Sequence, residues 1–182
     1  LEELQEHLHS LPEKPDAIPY VTSYYADRWG FCLTHRLRQS LKPGAYRAVI
    51  RSRKFAGVMN YAELVIPGAT AREILLTTYI CHPSMANNEV SGPAVLTFIG
   101  KWLKSAPRRY TYRLVYAPET IGAIYYISQH LQHLQTKVLA GFNISCVGDD
   151  RNYSFVASRK SNTIADRVAR GVLRNLTPNF VE

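Results

Sequence analysis

The sequence predicts an α/β protein, a mixed sheet flanked by helices with a smaller β-rich unit ahead of it. After Pro67-Gly68, strand-length apolar runs alternate with helix-length amphipathic segments, the pattern of a sheet covered by helices. Before that turn the text is dense in Tyr, Val and Thr, with short alternating stretches. The 182 residues are 46% hydrophobic and 20% charged, which suits one or two modest globular domains and excludes a disordered or collagen-like chain.

The elements follow in chain order. Leu1, Leu4, Leu8 and Leu11 stand at helical spacing, and Pro12, Pro15 and Pro19 end that helix in an extended linker. From Tyr20 to Ile66 strands are expected at Tyr20–Tyr25, Tyr46–Arg51 and Met59–Ile66, with a short helix at Leu33–Leu41. The first region, 1–67, therefore reads as a helix followed by a small sheet of its own. In the second, 68–182, the apolar runs predict strands at Glu73–Ile80, Thr111–Ala117 and Leu139–Val147 and an extended piece at Tyr153–Ala157. Helices are expected at Gly92–Ser105, Ile121–Leu134 and Thr163–Leu176, with a polar loop at His82–Val90. There are no internal repeats or low-complexity segments.

No apolar run approaches the ~20 residues that span a bilayer, so no membrane is expected as a partner. The start, Leu1-Glu2-Glu3-Leu4, is acidic and unlike a signal peptide. Cys32, Cys81 and Cys146 are odd in number and widely spaced, which suits reduced thiols and a cytoplasmic protein. The net charge of +8 permits anionic partners. Its clusters are short and scattered, with no zinc-finger or RNP-type motif beside them, so nucleic acid is disfavoured.

Polar residues gather where strands end, the usual place for a site in an open α/β sheet. The first group is Cys81-His82-Pro83-Ser84-Met85-Ala86-Asn87-Asn88-Glu89, the second Pro118-Glu119-Thr120, the third Gly148-Asp149-Asp150. His82, Glu119 and Asp149 or Asp150 form a candidate metal-hydrolase set, because Zn²⁺ takes imidazole and carboxylate donors and a nearby carboxylate can deprotonate water. The bland alternative has His82 in a loop hydrogen bond, Glu119 favourably placed at a helix N-terminus and the two Asp in a turn. A Cys81–His82 nucleophilic pair is disfavoured, since neighbours at a strand end point to opposite faces, and Cys81 is expected to be buried.

The stretch Tyr79 to Glu89 with Ser91-Gly92-Pro93, together with Pro118-Glu119-Thr120-Ile121-Gly122 and Cys146-Val147-Gly148-Asp149, resembles bacterial aminopeptidase-like proteins associated with polysaccharide biosynthesis. Tyr20–Tyr25, Arg28–Leu33 and Glu63–Gly68 resemble the small β domain that those proteins insert into their catalytic domain. The wider relationship is to the two-zinc aminopeptidases. That resemblance implies a phosphorylase/hydrolase-like α/β sandwich, with His82 as a zinc ligand, Asn88 at the position of a bridging carboxylate, Glu119 as general base and Asp149 as a further ligand. Asn88 brings no charge, and Thr120 stands where a two-zinc enzyme has a ligand Glu; both departures count against a dinuclear site and leave zinc as one ion or two. Glu89 either supplies the missing charge or faces solvent.

The same resemblance implies sequence before residue 1 and a ligand His beyond residue 182, so the chain is expected to be an internal fragment whose zinc site is incomplete and which is weakly active or inactive. The expected reaction is metal-assisted hydrolysis of a peptide or aminoacyl amide, with a small peptide or aminoacyl compound as partner and a homo-oligomer compatible with the sequence. Residues 1–67 would shape access to the cleft, with Tyr24, Tyr25, Trp29 and Phe31 as core or wall. The competing expectation, favoured by Asn88 and Thr120, is a non-catalytic binding module for an anionic sugar or peptide.

Overall fold

The computed structural model describes residues 1–23, 26–82 and 85–182, which fall into two compact units, Leu1–Phe55 and Ala56–Glu182. The first holds α1 (Glu2–Gln5), β1 (Leu8–His9), β2 (Phe31–Cys32) and α2 (His35–Ser40). The second holds β3 (Ala62–Ile66), β4 (Thr70–Tyr79), a π-helical turn (Ala86–Val90), α3 (Ser91–Lys104), β5 (Tyr110–Ala117), α4 (Ile121–Lys137), β6 (Val138–Asn143) and α5 (Ile164–Leu176).

The first unit departs most from expectation. The opening helix stops at Gln5 instead of running to Leu11, because the next residues pair with another segment: Leu8 and His9 form a parallel ladder with Phe31 and Cys32. A lone short helix is a marginal structure in water, so tertiary pairing overrides the leucine spacing. His7 stacks on Trp29 with ring centroids 3.6 Å apart, and Arg38 donates to the side chain and carbonyl of Gln5. The helix expected at Leu33–Leu41 is α2, entered through Thr34, whose hydroxyl accepts from Leu37 N.

The predicted small sheet is reduced to that two-residue ladder. Tyr46–Arg51 forms no strand, and Tyr46, Val49 and Ile50 are exposed, since alternation without a partner strand leaves the backbone to water. Tyr20–Ser23 is likewise no strand, and Tyr24 and Tyr25 lie outside the described residues. The segment Met59–Ile66 shortens to β3 and leaves the small unit altogether, pairing antiparallel with β5 as an edge strand of the large sheet. The division between units accordingly falls at Phe55/Ala56, ahead of the Pro67-Gly68 turn.

The second unit has the expected layered form. Its four-stranded sheet runs β3-β5-β4-β6, with β4 parallel to both β5 and β6. The chain passes from β4 through α3 to β5 on one side, then through α4 to β6 on the other, so strand order reverses at β4. The alternation of β5 sorts its residues by face. Leu114 packs with Ile66, Leu76 and the α3 residues Leu96 and Leu103, with Tyr112 and Tyr116 alongside. Val115 and Ala117 pack instead against Tyr126 and Leu134 of α4. Burying Leu96 and Leu103 contributes about 1.5–3 kcal/mol each. On the α4 face Arg113 lies between two carboxylates, donating from Nε to Glu73 at 2.7 Å and from Nη1 to Glu63 at 2.5 Å, while His133 and Tyr126 of α4 bond to the same two acids.

Beyond β6 the expected extended piece is a single bridge, Ser154 to Val181, and the final helix begins with a reciprocal cap in which Thr163 and Asp166 bond each other's backbone N–H. Among the described residues no helix is long and apolar enough to cross a membrane.

Candidate active site

Parallel pairing in register brings the three chemical segments to one edge. Tyr79 is opposite Ala117, and Ile80 N donates to Ala117 O at 3.0 Å, so β4 and β5 end flush. On the other side Ile144 N donates to Thr77 O at 2.8 Å. Residues 80–82, 118–120 and 144–149 therefore all leave the carboxyl end of the sheet, at the point where strand order reverses.

The π-helical turn after β4 shapes this edge. Both Glu89 N and Val90 N bond to Met85 O, at 2.9 and 3.3 Å, and this wide turn carries Glu89 inward, where it is 4% exposed. One carboxylate oxygen of Glu89 accepts from Cys81 N at 2.9 Å and the other pairs with His82 Nδ1 at 2.8 Å. Burial pushes the Glu89 carboxyl up, but the hydrogen bonds from His82 and Cys81 outweigh it and hold the group below its ordinary value. The Glu89 oxygen occupies Nδ1, which leaves Nε2 as the ring nitrogen free of that contact.

Glu119 reaches the same place from β5. Thr120 has φ 57°, ψ −69°, and Ile121 N closes a tight turn onto Glu119 O at 2.6 Å, which swings the chain into α4. Positive φ at a β-branched residue costs on the order of 1–3 kcal/mol. The side chain of Thr120 makes no cap hydrogen bond, so its place in the site is that of the turn residue. Cys81 Sγ, a ring nitrogen of His82 and a carboxylate oxygen of Glu119 all lie within 4.8 Å of one another. Cys81 is exposed, contrary to expectation, because β4 ends before it and the chain has left the sheet layer. An open cleft of about 400 Å³ lies beside it, lined by Ile80, Cys81, His82, Glu89, Val90 and Pro93.

The other expected ligands are engaged elsewhere. Asn88 donates its amide to Cys146 Sγ at 3.7 Å. Asp149 accepts from Asn87 Nδ2 at 2.9 Å and from the backbone N and guanidinium of Arg151, and these Arg151 bonds hold its carboxyl down to about 2. It stands outside the Cys81–His82–Glu119 group. The residue that organises this loop is Asn87, whose Oδ1 accepts Gly148 N at 2.7 Å, helped by Ser91, whose hydroxyl accepts Val147 N at 3.0 Å. Nothing in residue type distinguishes Asn87 from Asn88, and only the wide turn separates their directions. Gly92 is required beside them, since a Cβ there would lie 2.4 Å from both Ile144 O and Thr78 Oγ1.

The thiol, imidazole and carboxylate offer the donor chemistry that Zn²⁺ accepts, and the buried carboxylate behind His82 is the supporting contact that zinc-binding imidazoles use. The group fits a metal ion on these grounds.

A sheet of this order with convergent polar groups at its reversal point defines an α/β domain with a cleft at the carboxyl end of its strands. The chain belongs to the family described as "Domain of unknown function (DUF4910)", which matches residues 12–182. It is 40% identical over 173 residues to a Clostridium acetobutylicum protein named "Putative polysaccharide biosynthesis protein with aminopeptidase-like domain", covering 95% of this chain and 40% of that protein. It also resembles a crystal structure described as a "putative peptidase" from the same species, with TM-score 0.73 and 38% identity, over 99% of this chain and 42% of the other. The chain thus spans about 40% of the length of the relatives it matches.

Proposed function

We propose that the protein carrying this chain is an aminopeptidase-like, metal-dependent hydrolase of peptide or aminoacyl amide bonds, acting in polysaccharide biosynthesis. The observation that carries this reading is the convergence of His82 and Glu119 within 4.8 Å, with a buried acid holding His82 from behind. The names of the relatives point the same way.

A zinc ion held by Nε2 of His82 would polarise the substrate carbonyl and lower the pKa of a bound water. Glu119 accepts the proton of the attacking water on a carboxylate oxygen and returns it to the departing amine nitrogen. Glu89 keeps the Nδ1 proton of His82 in place, so the ring presents one fixed tautomer. Ile80, Val90 and Pro93 supply an apolar wall for a substrate side chain.

The test is hydrolysis of aminoacyl-nitroanilides by the zinc-loaded protein. Glu119→Gln should lower kcat by roughly 10²–10⁴-fold while zinc content stays the same, because the residue moves a proton and does not hold the ion. Full activity in that variant would remove Glu119 from the mechanism. A second reading, a non-catalytic module binding an anionic sugar or peptide, is favoured by one observation: Asn88 and Asp149 are bonded to Cys146 and Arg151. A protein that takes up no zinc yet binds such a ligand would establish that reading instead.

A further inference from the structure

Cys81 has no part in the reaction as written, yet its thiol is in the group formed by His82 and Glu119. We propose that Cys81 binds, as a thiolate, the same ion as His82, making the centre a mixed sulfur–nitrogen site; this rests on the metal-dependent reading above.

Three observations support it. Consecutive residues on a strand face opposite ways, but β4 ends at Tyr79, and both Cys81 and His82 turn their donor atoms toward Glu119. Cys81 Sγ and a ring nitrogen of His82 lie within 4.8 Å of each other, and donors around a tetrahedral ion are roughly 3–4 Å apart, so small side-chain rotations bring this pair onto one ion. Independently, the buried Glu89 grips both residues, one oxygen on the backbone N–H of Cys81 and the other on the ring of His82. A single ionised group thus fixes the chain path at one donor and the ring orientation at the other, which is preorganisation of a pair.

Asp149 is held by Arg151 and Asn87 and stands outside the group. Beside His82 the group offers the sulfur of Cys81 together with the Glu119 carboxylate, and a sulfur donor favours Zn²⁺, Co²⁺ or Cd²⁺ over Mg²⁺ or Ca²⁺. Binding forms a metal–sulfur bond at the expense of the S–H bond, and the thiol proton leaves to solvent.

Titration of the protein with Co²⁺ under reducing conditions reads this directly. We expect a near-ultraviolet sulfur-to-cobalt charge-transfer band that saturates at one ion per chain, is lost in Cys81→Ser and persists in Cys146→Ser. Zinc should also protect Cys81, and not Cys32, from alkylation as mapped by peptide mass spectrometry. Cobalt bound with only its weaker visible bands, or a sulfur band that vanishes in Cys146→Ser instead, would overturn the role of Cys81 while the metal-dependent reading stands. Failure to take up Co²⁺ or Zn²⁺ at all would overturn both.

Discussion

Glu89 is an acid almost wholly removed from water, and a buried carboxylate is costly unless its lone pairs are occupied. Here they are, by Cys81 N and His82 Nδ1. Glu89→Gln keeps the size of the side chain and loses the charge, so the tautomer of His82 is no longer dictated. Zinc affinity should fall roughly 10–100-fold, the usual cost of removing such a supporting partner, with Glu89→Asp recovering part of it. Calorimetric titration measures this, and the ¹⁵N shifts of the His82 ring should report mixed tautomers in the Glu89→Gln variant. Equal affinities in that variant and the unsubstituted protein would reduce the contact to a structural one. The sequence brings His82, Glu119 and Glu89 under suspicion as residue types at strand ends. It could not aim Glu89, because a side chain following a loop points inward or outward according to the turn that precedes it, and a π-helical turn carries no distinctive residue pattern.

At the scale of elements, the sheet is joined to α4 through charge as well as apolar contact. Arg113 on β5 bridges Glu63 on β3 and Glu73 on β4, with His133 and Tyr126 bonding from α4. The Arg113 hydrogen bonds lead in lowering Glu73, while at Glu63 burial pulls upward and the bonds from Tyr126 and Arg113 overcome it. Both carboxyls end below their ordinary value of 4.5. The folded protein therefore holds these acids ionised at pH values where the unfolded chain protonates them. Their contribution is complete above 4.5 and is lost as pH falls through the lower folded values. Urea midpoints measured from pH 7 downward should hold until about the unfolded value and then decline. In Glu73→Gln the protein should be less stable at pH 7 and the acid decline shallower; an unchanged slope would show that the network does not govern the acid limit. An Arg within Tyr-Thr-Tyr-Arg-Leu-Val-Tyr-Ala reads locally as a polar position on a strand, and its acids lie far off in the chain.

For the whole molecule, the stretch between Leu41 and Tyr61 carries no secondary structure and is nearly all exposed, and the division between the two units falls within it. It also contains Arg47, Arg51, Arg53 and Lys54. Backbone with few buried contacts opens at little cost and is cut first. Brief trypsin treatment should cleave at these residues before any site in β4, β5 or β6, leaving a resistant fragment that begins between Ser52 and Phe55, as mass spectrometry would identify. Early cleavage at Arg72 or Arg113 instead would contradict the packing of the sheet.

The alternating strands and helices after residue 68 were legible because each is specified by its own periodicity: Leu96 and Leu103 on α3 and the two faces of β5 need only neighbours a turn or two away. So was the choice of strand ends as the chemical region, which follows from parallel sheets whose loops emerge on one edge. Tertiary structure alone decided what depends on a distant partner. Met59–Ile66 became an edge strand of the large sheet because β5 offered it a ladder, whereas Tyr46–Arg51, with a comparable pattern and no such partner, remained irregular. Likewise His82, Glu119 and Cys81 share a place because β4 and β5 end in register, while Asp149 is drawn away by Asn87 and Arg151. Periodicity is written in neighbouring residues; pairing and convergence are free-energy choices among segments far apart in the chain, and no local pattern carries them.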